Sequence, residues 1–186
     1  MSRFYSGGSS VNSFVLVGLP TSDAVYTSDG AEEIAYANDW VPLGWLALFE
    51  TGDIRMVSGA ESGSQPPCPT LLTRKDVALS NFRRRLSIYS EAISAELLDV
   101  FRVLESVVAN SSGEYLQVIL TDMDVFLSEP EVMTEILQDW IGAMDTTLAN
   151  RWSGPLSFVQ ATVGDNLSEI HFPYPDLVGA AISGYI

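Results

Sequence analysis

Three features of the chain predict an α+β (or α/β) single domain in which a small mixed or antiparallel sheet is covered by helices. Its 186 residues are enough to bury one hydrophobic core without disulfides or metals. Hydrophobic residues make up 47% of the chain against 18% charged, the balance of a packed protein and not of a disordered one. Short runs rich in β-branched and aromatic residues alternate with longer stretches whose apolar residues recur at helical spacing.

Residues 1–10, with Gly7, Gly8, Ser9 and Ser10, read as a flexible leader, and residues 11–186 as a single globular domain. Residues 12–18 have the composition of a central strand, which Pro20 ends because proline donates no backbone hydrogen bond. After a polar, turn-like stretch, Glu32, Glu33, Ile34 and Tyr36 suggest a short helical turn. Residues 39–49 are the longest nearly unbroken apolar run. Asp39 as a cap, Pro42 in a first turn, and Trp45, Leu48 and Phe49 at helical spacing make it a core helix. The run is far short of the roughly 20 residues that cross a bilayer.

Ile54 to Val57 suggest a brief strand, and the Gly, Ser and Pro content of residues 58–69 a mobile loop. From Thr70 to Ser112 there is neither Gly nor Pro. Leu79, Phe82, Leu86, Tyr89, Ile93, Leu97, Val100, Leu104 and Val107 step along one helical face, in one long helix or two, with Thr73 and Asp76 as a start signal. Residues 115–121 form the next strand. Ser128 and Glu131, with Pro130 between them, then open a helix to about residue 150 whose apolar stripe is Met133, Ile136, Leu137, Trp140, Ile141, Met144 and Leu148. Residues 156–162 suggest another strand, Ile170 a short one, and Pro175 the start of a terminal helix.

The opening third resembles a group of small uncharacterised bacterial proteins with an Asn-x-x-x-Leu first strand and a Pro-Leu apolar helix. Asn12 and Leu16, then Pro42 and Leu43, carry the likeness, with Ser13 and Val15 at positions where that group has Arg and Tyr. The resemblance implies no activity and no functional residues.

Charge excludes more than it identifies. Nine Lys and Arg against 24 Asp and Glu give a net charge of -15, which repels phosphate backbones and anionic lipid and attracts basic protein surfaces. Nucleic acid and membrane are therefore poor partners. Arg74, Lys75, Arg83, Arg84, Arg85 and Arg102 gather in one helical region, but without interleaved aromatics they are expected to pair with carboxylates instead of binding RNA. A lone cysteine, Cys68, and an N-terminus without a signal-peptide apolar run point to a cytoplasmic protein.

No complete catalytic set is present. Val118 to Asp124 forms a strand ending in Asp-x-Asp, which resembles the first motif of haloacid-dehalogenase-like phosphatases. That likeness implies a nucleophilic Asp122, a proton-transferring Asp124 and Mg²⁺. Phe126 stands where that family has Thr or Val, and the single lysine, Lys75, lies upstream where it cannot complete the site. One histidine, His171, and one cysteine exclude a zinc site built from several such ligands, and no serine elbow, phosphate loop or dinucleotide fingerprint occurs. No cofactor or metal is expected.

The strongest functional signal is the row Glu131, Glu135 and Asp139, like charges at i, i+4 spacing that cost a helix about 0.2–0.5 kcal/mol per pair. With Asp122 and Asp124 they form the candidate partner-binding set. The expected function is a non-enzymatic acidic binding protein, of the bacterial immunity or antitoxin type, that neutralises a basic protein partner. The alternatives are a metal-assisted phosphate hydrolase using Asp122 and Asp124, and a structural subunit.

Overall fold

The strand-forming segments assemble into one sheet with helices packed against it. The computed structural model describes residues 13–25, 28–38, 41–57, 68–89, 95–121 and 130–145. Five strands, β1 (Ser13–Leu19), β2 (Glu32–Asn38), β3 (Ile54–Val57), β4 (Cys68–Arg74) and β5 (Tyr115–Thr121), pair in the order β2-β1-β5-β4-β3, every neighbour antiparallel. With the helices stacked on this sheet, the fold is α+β.

Register places one apolar row across all five strands. Ala35 lies opposite Leu16, Leu16 opposite Val118, Val118 opposite Leu71 and Leu71 opposite Ile54. Because alternate residues of a strand share a face, Phe14, Leu16, Leu71, Leu116 and Val118 all turn toward the helices and are buried there. The other face carries Val17, Leu19, Thr70 and Gln117, which are buried as well, so β1 is covered on both sides. Between β1 and β2 the register slips at Leu16 and Val17, passing over Ile34.

A helical hairpin joins the antiparallel neighbours β4 and β5. Helix α2 (Lys75–Tyr89) follows β4 without a loop, and α3 (Ala95–Asn110) returns along it. Lys75 Nζ donates to the Ser111 carbonyl at 2.6 Å, Arg83 meets Glu105 at 2.6 Å, and the Phe82 and Phe101 rings pack with centroids 5.9 Å apart. The chain thus comes back to the end it left, and Lys75 N donates to the Glu114 carbonyl at 2.9 Å just before β5 begins. Helix α4 (Pro130–Ala143) buries Met133, Leu137 and Ile141 in the same core as Ala78, Phe82, Phe101, Leu104 and Val108.

Several sequence expectations need correction. The stretch around Ile34 is strand β2 and not a helical turn, because pairing with β1 supplies backbone partners that an isolated turn lacks. Cys68 and Pro69, expected in the mobile loop, belong to β4 together with Thr70 to Arg74, so the helix starts at Lys75. Residues 58–67 of that loop, the leader, and everything from residue 146 onward lie outside the described residues. The expected long helical face is carried by two helices, Lys75–Tyr89 and Ala95–Asn110, and residues 90–94 between them lie outside the described residues.

Asp39, the expected cap, and Trp40 lie outside the described residues; the rest of the expected 39–49 core helix reduces to a single turn, α1 (Leu43–Leu46), entered from Pro42 and lying within a segment buried from Val41 to Phe49. Beyond that turn the bonds tighten to i→i+3, Leu48 N to Trp45 O at 3.0 Å and Phe49 N to Leu46 O at 3.3 Å. The expected burial holds, with Trp45 and Phe49 wholly inside.

Two packing constraints are open to test. A Cβ on Gly113 would lie 2.5 Å from the Leu19 nitrogen and 2.7 Å from Gly18 Cα, backbone that cannot give way without moving β1. Gly113→Ala is expected to lower stability by about 1–3 kcal/mol in denaturant titration, as overpacked cores do. Trp45→Ala is expected to lower it by about 3–5 kcal/mol, because the whole ring is buried; an unchanged denaturation midpoint would remove the ring from the core.

Candidate functional site

The placement of positive charge decides what surface is left for a partner. Arg85 projects from α2 at the same phase as Ala78 and Phe82 and is completely buried. Its guanidinium carries five donors. Nη1 donates to the carbonyls of Leu46 at 3.3 Å and Ala47 at 3.1 Å, and to that of Phe49. Nε and Nη2 grip the two carboxylate oxygens of Asp145, just past α4, at 3.0 and 2.9 Å. Arg84 adds a bond to Asp145 at 2.6 Å and a longer one to Glu50 at 3.5 Å.

The other described cations are also bonded within this chain. Arg74 pairs with Asp76, Arg83 with Glu105 and Arg102 with Asp99. Arg55 donates to the carbonyls of Gly52 and Ile54, and Lys75 to that of Ser111. The arginine cluster is therefore structural pairing, as expected, and presents no phosphate-binding patch among the described residues.

The acidic row of α4 is the counterpart. Glu131, Glu135 and Asp139 are all exposed, and no ion pair among the described residues includes them. Successive helical residues turn by about 100°, so these three share the solvent face opposite Met133, Leu137 and Ile141. Next to them, at the same i, i+4 spacing, run Val132, Ile136 and Trp140. Val132 is 43% exposed, and Ile136 and Trp140 are half-buried. Trp140 leans on the core, whereas Val132 and Ile136 are not packed against it.

The stripe expected from the sequence thus divides. Met133, Leu137, Ile141 and Met144 enter the core, while Ile136 and Trp140 border the acidic row. Asp122 and Asp124, the remaining members of the expected partner-binding set and of the phosphatase-like motif, lie outside the described residues, as does His171.

The carboxylates that do shift are structural. The Arg85 guanidinium, with Arg84 beside it, holds the Asp145 carboxyl at about 2 against an ordinary 3.8, although burial opposes this. Glu32 is lowered because it accepts Ser112 N at 2.6 Å and Ser112 Oγ at 2.8 Å, which pins β2 to the turn before β5. Burial raises the Cys68 thiol, the opposite of what a nucleophile needs. Among the described residues no group of three or more His, Cys, Asp or Glu side chains is placed to hold a metal ion, and no helix is long and apolar enough to cross a membrane.

Sequence reading missed Arg85 and Asp145 as a unit. The available signal was an arginine in phase with Ala78 and Phe82 on a helix otherwise apolar at those positions. No family model, curated protein or solved structure matches this chain.

The Arg85 cage makes a stability prediction with a definite sign. Asp145 has a folded pKa below its ordinary value, so its contribution is present in full above about pH 4 and is lost as pH falls toward about 2. In Asp145→Asn the melting temperature should lose the part of its acid dependence that falls in this window, by comparison of the two melts. Arg85→Met should cost about 2–4 kcal/mol at neutral pH by denaturant titration, since it leaves buried carbonyls without donors.

Proposed function

We propose that the protein is a non-enzymatic acidic binding protein that neutralises a basic protein partner by covering its functional surface, in the manner of bacterial immunity proteins and antitoxins. One observation carries this reading. Each described lysine and arginine is bonded to a carboxylate or carbonyl of this chain, whereas Glu131, Glu135 and Asp139 are exposed and form no ion pair with a described cation. A like-charged helical row lowers the stability of its own helix and is compensated when a cationic surface meets it.

The overall charge of -15 supports the same reading through kinetics, because it draws a basic partner from a distance and favours productive encounters. Affinity would then come from the smaller area that becomes dehydrated on contact. The cytoplasm is the compartment in which such a partner would be met.

Capture from cells of the native host tests the proposal. At low salt the protein should retain a basic partner, and raised salt should release it within the range where surface charges are screened. The triple variant Glu131→Gln, Glu135→Gln, Asp139→Asn should retain at most a tenth as much, by roughly the coupling expected of lost charge pairs. If no basic protein is retained at low salt, the proposal fails.

A further inference from the structure

We infer that the solvent side of α4 is a docking surface for an amphipathic helix of the partner, with Lys or Arg along one stripe and aliphatic residues along the next. The inference rests on the binding reading above and specifies its partner. Two stripes run side by side on α4, Glu131, Glu135 and Asp139 in one and Val132, Ile136 and Trp140 in the other. The core does not use the second stripe fully. Met133, Leu137, Ile141 and Met144 fill the interior, while Val132 stays 43% exposed and Ile136, half-buried, does not pack against the described core.

Charge complementarity selects the occupant. A second copy of a chain carrying -15 would bring the same acidic row against itself, which is repulsive. Nucleic acid and anionic lipid fail for the same reason. A basic segment satisfies the acidic stripe, but one without apolar residues would leave Val132 and Ile136 wet. Helical form follows from backbone chemistry, since an extended segment laid across side chains leaves its own N–H and C=O groups unpaired and a helix satisfies them internally. Ridges of side chains at i, i+4 on both helices then interleave.

The direct test uses two fluorescein-labelled peptides of about 18 residues, long enough for helix formation on a surface. Both contain only Leu and Lys in the same proportion. One places leucines on a single helical face, and the other has the order scrambled. Anisotropy titrations at low salt should show the amphipathic peptide binding at least ~10-fold more tightly than the scrambled one. Ile136→Gln should remove most of that preference, Glu135→Lys should weaken both peptides, and Val103→Gln, a change at an exposed valine on α3, should alter neither.

Thermal melts check that Ile136→Gln remains folded. Should it not, Val132→Gln at the exposed end of the same stripe replaces it. Equal binding of both peptides, with no effect of the stripe variants, would overturn the helix-docking inference while leaving the acidic-binding reading intact. Binding of neither peptide at low salt would overturn both.

Discussion

Burying the segment from Val41 to Phe49 is the constraint around which the rest of the structure is arranged. Its side chains include Trp45, Leu46, Leu48 and Phe49, all wholly inside, and its backbone makes only one α-helical turn. Buried carbonyls without donors are expensive, about 1–3 kcal/mol each. Arg85 answers three of them, and Asn81 Nδ2 reaches the Leu48 carbonyl at 3.4 Å as a fourth contact. A guanidinium suits this task because its donors point in several fixed directions while its charge never has to be removed. That charge is then met by Asp145, which is 42% exposed and so keeps water on one side. The pair is asymmetric, and the carboxylate avoids most of the desolvation that makes fully buried ion pairs costly.

The same cage fixes how the helices sit. To bring Arg85 inward, α2 turns Ala78, Asn81 and Phe82 to the interior and leaves Leu79 and Leu86 only partly buried. Apolar periodicity alone centres the face on Leu79, Phe82 and Leu86, one residue away from where it lies. Periodicity treats arginine as a surface residue. It has no means of knowing that the residue's donors will find a cluster of carbonyls 36 to 39 positions earlier in the chain.

A similar reason separates what was legible from what was not. Ser13–Leu19, Ile54–Val57 and Tyr115–Thr121 carry enough β-branched or aromatic character to be read locally, and the α4 stripe is regular enough to give both a helix and its acidic row. Strands β2 and β4 are not locally coded. Glu32–Asn38 is polar and alanine-containing, and Cys68–Arg74 carries a proline at its second position beside a loop-like sequence. Both become strands because β1 and β5 offer them ladders, and pairing partners are a tertiary property. The Gly18 and Gly113 contact belongs to the same class, since two glycines far apart in sequence matter only once their backbones touch. Of the candidate site, the row Glu131, Glu135 and Asp139 was visible as charge spacing. That no described cation pairs with it was not, because that depends on where the arginines go.

That destination links fold to function. Arg85 and Arg84 close the core at Asp145, Arg83 latches α2 to α3 through Glu105, and Lys75 fastens the hairpin at Ser111. Each cation used in this way is unavailable to neutralise the surface. In a chain with 9 basic and 24 acidic residues, cations committed to these pairs leave the acidic excess on surfaces where no described cation is paired. The flank of α4 is such a place, and it is also where the apolar stripe exceeds what the core can cover. An uncompensated charge row and an underused apolar row need no common cause when considered singly. Set at the same helical spacing on one side of the helix, they would give the proposed basic amphipathic partner both long-range attraction and short-range burial.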